Sequence, residues 1–111
     1  NIHPSLLPAY KGLDTHRRAL EDGATVHGCS VHYVTEELDG GPVVGQASVP
    51  VLPQDTAESL AERVHHAEHR LYPEVVGWYA SGRLRMDGQV VSLDGVPMSQ
   101  PVHRSYADAD T

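Results

Sequence analysis

The sequence predicts an α/β fold: a short mixed sheet, one long helix and a β-hairpin near the end of the chain. Three observations carry this. Two β-branched segments, 26–34 and 43–51, read as strands. Leu60, Val64, Ala67, Leu71, Val75 and Trp78 recur every three or four residues, which marks one apolar helix face. RLRMDGQVVSL sets Asp87-Gly88 between two alternating segments, a hairpin signal.

Taken in order, NIHPSLLPAYKG holds Pro4, Pro8 and Gly12 and reads as an ordered but irregular loop. Asp14 or Thr15 can cap a short helix that runs to Leu20 and stops at Gly23. In the first strand, Cys29, Val31 and Tyr33 face one way, and Ser30 and His32 the other. TEELDGGP, 35–42, is a turn-rich loop, and Pro50 and Pro53 end pairing of the second strand. Asp55 and Glu58 have capping-box spacing for the long helix. Pro73 predicts a kink or a restart, and Gly82 an end. Residues 97–111 are polar and without periodicity, and are expected to form a loose tail after a 1–96 domain. This is too few strands for a self-contained doubly wound sheet, and a catalytic-looking loop normally follows a strand. The pattern is that of the back half of an α/β enzyme.

A chain of 111 residues has room for one domain. The net charge is −7, from 8 Lys+Arg against 15 Asp+Glu, with no basic patch of the kind that binds a nucleic-acid backbone. No apolar run is long enough to span a bilayer. The single cysteine, Cys29, cannot form an internal disulfide and on a core-facing strand position is expected to be a small buried group. These features point to a cytoplasmic setting and to small-molecule or protein partners, not to nucleic acid or membrane.

Asn1 and His3 lie two apart in a loop stiffened by Pro4. An amide donor and an imidazole on rigid backbone suit oxyanion stabilisation and proton transfer. Asp39, next to two glycines, can approach a ligand closely and can hold a histidine protonated by charge and hydrogen bonding. His65, Glu68 and His69 spell H-x-x-E-H, the inverted zinc-peptidase pattern. A catalytic zinc needs a third protein ligand, and His103 in the tail is a poor one. No metal is expected.

Three blocks converge on a known family. NIHPSLLPAYKGLDTHRRALEDG, HGCSVHYVTEELDGGPVVGQASVPV and AEHRLYPEVV occur in the order and spacing of phosphoribosylglycinamide formyltransferases, and the resemblance runs from residue 1 to about residue 95. It implies a formyltransferase (Rossmann-like) fold, of which this chain resembles the carboxyl-terminal half. It implies transfer of a formyl group from 10-formyltetrahydrofolate, as cosubstrate, to the amine of glycinamide ribonucleotide in purine biosynthesis. The family's catalytic Asn, His and Asp fall on Asn1, His3 and Asp39. The segment lining its folate site falls on Thr35, Glu36, Glu37, Leu38 and Asp39. A ribonucleotide-binding residue falls on Glu68, which accounts for Glu68 without zinc.

Two relatives are rivals. Methionyl-tRNA formyltransferase follows the shared His-Pro-Ser-Leu-Leu-Pro with a different stretch, where this chain has KGLDTHRRA. Formyltetrahydrofolate deformylase usually carries a second histidine directly after the catalytic one, where this chain has Pro4. The glycine-rich phosphate-binding loop of the family has no counterpart here. A reading of another class follows: a non-catalytic piece that associates with an amino-terminal half or with itself.

Overall fold

The computed structural model describes residues 1–106. Nine elements follow one another: β1 (Ile2–His3), α1 (Thr15–Glu21), β2 (Val26–His32), β3 (Val43–Pro50), α2 (Ala57–Ala80), β4 (Leu84–Asp87), β5 (Val90–Leu93), β6 (Val96–Pro97) and β7 (Val102–Ser105). The main sheet has the order β1-β2-β3-β7 and is mixed: β1–β2 and β2–β3 are antiparallel, β3–β7 parallel. A second sheet, β4-β5-β6, is an antiparallel meander.

The core lies between α2 and the main sheet. All six residues of the predicted stripe, Leu60 to Trp78, are buried and meet Cys29, Val31, Val44, Ala47 and Val49. Burying one such side chain contributes about 1.5–3 kcal/mol. Gly45 allows the helix to lie close: a Cβ there would stand 3.1 Å from Val75. The other face of β2 is buried as well, under the first loop. Ser30 donates to the Ser5 carbonyl at 2.7 Å and accepts from the Leu7 amide at 3.0 Å, while Gln46 donates to the Leu7 carbonyl at 2.9 Å.

Five expectations are corrected. The opening segment is not all loop, because Ile2 and His3 pair with Val31 and Ser30. The cap of α2 is Thr56 with Ser59, one residue on from Asp55 and Glu58; Asp55 is instead held by Arg63. Pro73 does not restart the helix, since α2 runs from Ala57 through Ala80. The hairpin turn falls at Gly88-Gln89, with Asp87 still paired to Val90, and the hairpin extends into β6 rather than ending the chain. The expected loose tail contains β7, whose backbone pairs with Gly45 to Ser48 and whose Arg104 bonds Glu74 of α2 at 2.7 Å. The part of the 97–111 expectation that falls on 107–111 lies outside the described residues.

Candidate active site

β1 delivers Asn1 and His3 to the end of β2 where His32 stands. The backbone there is tied on both sides: the Asn1 nitrogen donates to the His32 carbonyl and the His32 amide to the Asn1 carbonyl, each at 2.9 Å. The loop after β2 then brings in Asp39. Its path requires glycine at 41, where a Cβ would sit 1.8 Å from the Tyr33 carbonyl oxygen. Asp39 itself adopts φ 50°, the left-handed region uncommon for a non-glycine residue.

Each polar group is anchored on its outer side at short range. The Gly12 amide donates to Asp39 Oδ2 at 2.9 Å. His3 Nε2 lies 3.0 Å from the Tyr10 carbonyl, and His32 Nδ1 lies 3.0 Å from the Tyr33 carbonyl. A carbonyl only accepts, so both of those nitrogens carry protons. The inner sides face one another at longer range: His3 Nδ1 to Asp39 Oδ2 is 3.5 Å, His32 Nε2 to Asp39 Oδ1 4.0 Å, and Asn1 Nδ2 to His32 Nε2 3.4 Å. Donors and acceptors held from behind and slack in front leave their bonding capacity for a guest atom. His3 and His32 are buried, and the Asp39 side chain is 9% exposed, so charge here acts outside bulk water.

The structure therefore brings together Asn1, His3 and Asp39. It adds His32, which sequence reasoning placed only as a strand residue on the face opposite Cys29. Its signal was position: the last residue of a strand, directly before the loop that carries Asp39. Thr35, Glu36, Glu37 and Leu38 are exposed on that loop and do not reach the cluster; Lys11 Nζ lies 3.8 Å from Glu37. Glu68 sits across Ile2 from the cluster, in a recess lined by Ile2, Glu68, His69, Tyr72 and Pro73. Burial pushes its carboxyl above the ordinary carboxylate range, against the opposing charges of His65, His69 and His3. His65 and His69 meet edge to face beside it with their Nε2 atoms 3.0 Å apart, and among the described residues no three potential ligands converge on a metal position. Next to Asn1 and His32 opens an apolar cavity of about 180 Å³ walled by Tyr33, Val34, Tyr72, Val76 and Tyr79. The Tyr33 hydroxyl is buried and finds no hydrogen-bond partner among the described residues.

The model of the family described as formyl transferase matches residues 1–76, the span that contains every residue of this cluster. The chain belongs to the formyl transferase family. It is 57% identical over 95 residues to phosphoribosylglycinamide formyltransferase of Escherichia coli, covering 86% of this chain and 45% of that protein. The solved phosphoribosylglycinamide formyltransferase of Coxiella burnetii superposes with a TM-score of 0.86 at 55% identity, over 96% of this chain and 49% of that one. A formyltetrahydrofolate deformylase from Pseudomonas syringae pv. tomato gives a TM-score of 0.78 at 29% identity, over 84% of this chain and 31% of that one. The chain thus spans about half the length of the formyl transferases it matches. The expected carboxyl-terminal placement is reduced to that coarser statement, a partial span of a formyl transferase with a mixed sheet and a long helix.

Proposed function

We propose that this chain carries the proton-handling part of a phosphoribosylglycinamide formyltransferase, moving a formyl group from 10-formyltetrahydrofolate to the amine of glycinamide ribonucleotide. The observation that carries this reading is the cluster of Asn1, His3, His32 and Asp39, anchored behind and slack in front, within a chain 57% identical to such an enzyme.

The amine nitrogen attacks the formyl carbon, and the carbonyl electron pair moves onto oxygen. The Asn1 amide and His3, protonated on both ring nitrogens and donating through Nδ1–H, stabilise that oxyanion. Asp39 accepts the proton shed by the attacking amine, directly or through water. As the oxyanion collapses, the folate nitrogen leaves and takes up the proton that Asp39 received, directly or through water, which returns Asp39 to its carboxylate. His32 in its Nδ1–H form accepts from the Asn1 amide through Nε2 and so orients it.

The residues suit such a donor only in part. Two polar groups, Asn1 and His32, meet flat apolar walls at the cavity, as a formyl-bearing heteroaromatic requires. At about 180 Å³ the cavity is smaller than the roughly 300–1,000 Å³ usual for small-molecule sites. The folate would run along Thr35 to Leu38, the ribonucleotide would engage Glu68, and further surface would come from the rest of the relatives' length. The exposed Tyr72, Val76 and Tyr79 make the face for that association or for a second copy of this chain.

The deformylase neighbour supports one competing reading, in which water takes the place of the amine. The test follows product from formyl-labelled folate, with the chain supplied with the missing portion of a homologue. Label in formylglycinamide ribonucleotide supports the proposal; label released only as formate, whatever amine is present, sinks it.

A further inference from the structure

We propose that Tyr10 is a positioning residue for His3, commanded by the last turn of α1. The inference rests on the reading of His3 as the proton donor. Tyr10 touches no inner face of the cluster, yet its carbonyl is the 3.0 Å partner of His3 Nε2. That contact decides which ring nitrogen is spent on the protein and which, Nδ1, is turned toward Asp39. A backbone carbonyl is available in any residue, so the question is what places this one. Tyr10 has φ 54°, a left-handed conformation that a large side chain holds only when its surroundings impose it.

Those surroundings are specific. The Tyr10 hydroxyl donates to Asp22 Oδ2 at 2.9 Å, directly after α1. The Arg18 guanidinium lies over the Tyr10 ring at 5.5 Å and also donates to the carbonyls of Lys11 and Leu13, at 2.7 and 3.0 Å. The edge of His27 meets the ring at 6.0 Å. His27 is 1% exposed and is fixed in turn by His16 of α1, with Nδ1 to Nε2 at 3.1 Å. Three α1-linked groups thus hold one ring, and the ring holds the carbonyl. Without them the φ at position 10 relaxes, Nε2 loses its acceptor, and the imidazole is free to turn its other nitrogen outward.

The test is nitrogen-15 NMR of the His3 ring in the full chain, for wild type, Tyr10→Phe, Tyr10→Ala and Asp22→Ala. Asp22 is at the surface, so that variant keeps the test alive if Tyr10→Ala fails to fold. The wild-type neutral ring should carry its proton on Nε2. Tyr10→Ala should show mixed tautomers, and Asp22→Ala and Tyr10→Phe, which break the same hydrogen bond, should both lie between it and wild type. In the assembled enzyme kcat should fall by roughly 10- to 100-fold in Tyr10→Ala at little-changed KM, with an altered pH profile. Unchanged His3 signals and pH profile in both alanine variants overturn the inference. If the tautomer shifts as described while wild type transfers no formyl group, the positioning role stands and the functional reading fails.

Discussion

Asp39 carries two constraints at once: a left-handed backbone at φ 50° and a carboxylate that takes the Gly12 amide on the oxygen nearest His3. Its backbone sits in a loop that Gly41 lets pass close against the Tyr33 carbonyl, and its charge is what the proposed chemistry uses. Asp39→Asn keeps the shape and an acceptor for Gly12 and removes the charge and the base. It should lower kcat by about 100-fold or more while folate affinity changes little. Turnover near the wild-type level in that variant counts against the assignment. Single residues alone gave little of this site. Asn1, His3 and Asp39 were weak candidates by residue type and loop context, and the family resemblance singled them out. His32 was not a candidate, because a histidine in a β-branched strand reads as one more alternating position. Only the antiparallel pairing of β1 with β2 brings it to Asn1.

α2 gives the clearest case of a pattern read correctly for the apolar face and for its end at Gly82, and incorrectly at its amino-terminal cap. The stripe from Leu60 to Trp78 follows helix geometry, which tertiary packing reinforces. Capping is decided by local hydrogen bonds that two adjacent candidates can compete for. Here Thr56 accepts from the Ser59 amide at 3.1 Å, and Asp55 is left for Arg63, which bonds both its oxygens at 2.7 and 3.0 Å. Hydrogen bonds from Arg63 hold the Asp55 carboxyl well below its ordinary range, and burial opposes this. A depressed folded-state value means the pair stabilises fully above the unfolded value of about 3.9 and loses its effect as pH falls further. Asp55→Asn should therefore cost about 2–4 kcal/mol near neutrality and flatten the loss of stability below about pH 4. Urea midpoints across pH measure both effects, and an unchanged acid limb overturns the account. Pro73 does not break the helix into two because a missing amide and a ring clash weigh about 3 kcal/mol, less than the packing of Leu71, Val75 and Trp78 on either side. The H-x-x-E-H pattern on the same helix places His65 and His69 together but supplies no third ligand among the described residues. Metal analysis of protein made without a histidine tag or added zinc should find far less than one zinc per chain; a stoichiometric zinc lost in His69→Ala would reverse that expectation.

The whole molecule holds the cluster without holding much of a binding surface. Holding reactants at near-attack distance is worth about 7–11 kcal/mol, and the cavity beside the cluster is too small to supply that alone. The 111-residue chain by itself should thus be nearly inactive in formyl transfer, and should recover turnover when mixed with the missing portion of a homologue. Full activity of the chain alone would show that the matched half is sufficient. Not all of the architecture could be read from composition or periodicity. β7 is four residues in a polar stretch, and its identity as a strand comes from the free edge of β3, which no local pattern announces.

That late strand also has a meaning in time. β7 is the parallel partner of β3, although more than half the chain lies between Gly45 and its opposite number Val102. During synthesis β2 and β3 emerge together and can pair at once, and α2 can close over them while the ribosome is still at work. The outer edge of β3 must then wait until Val102 to Ser105 have been made. Until that moment its open amides and carbonyls are available to any other strand in reach. A chain stopped before Val102 would carry an intact chemical cluster on a sheet that invites aggregation, so loss of β7 should appear as lost soluble yield rather than as altered chemistry.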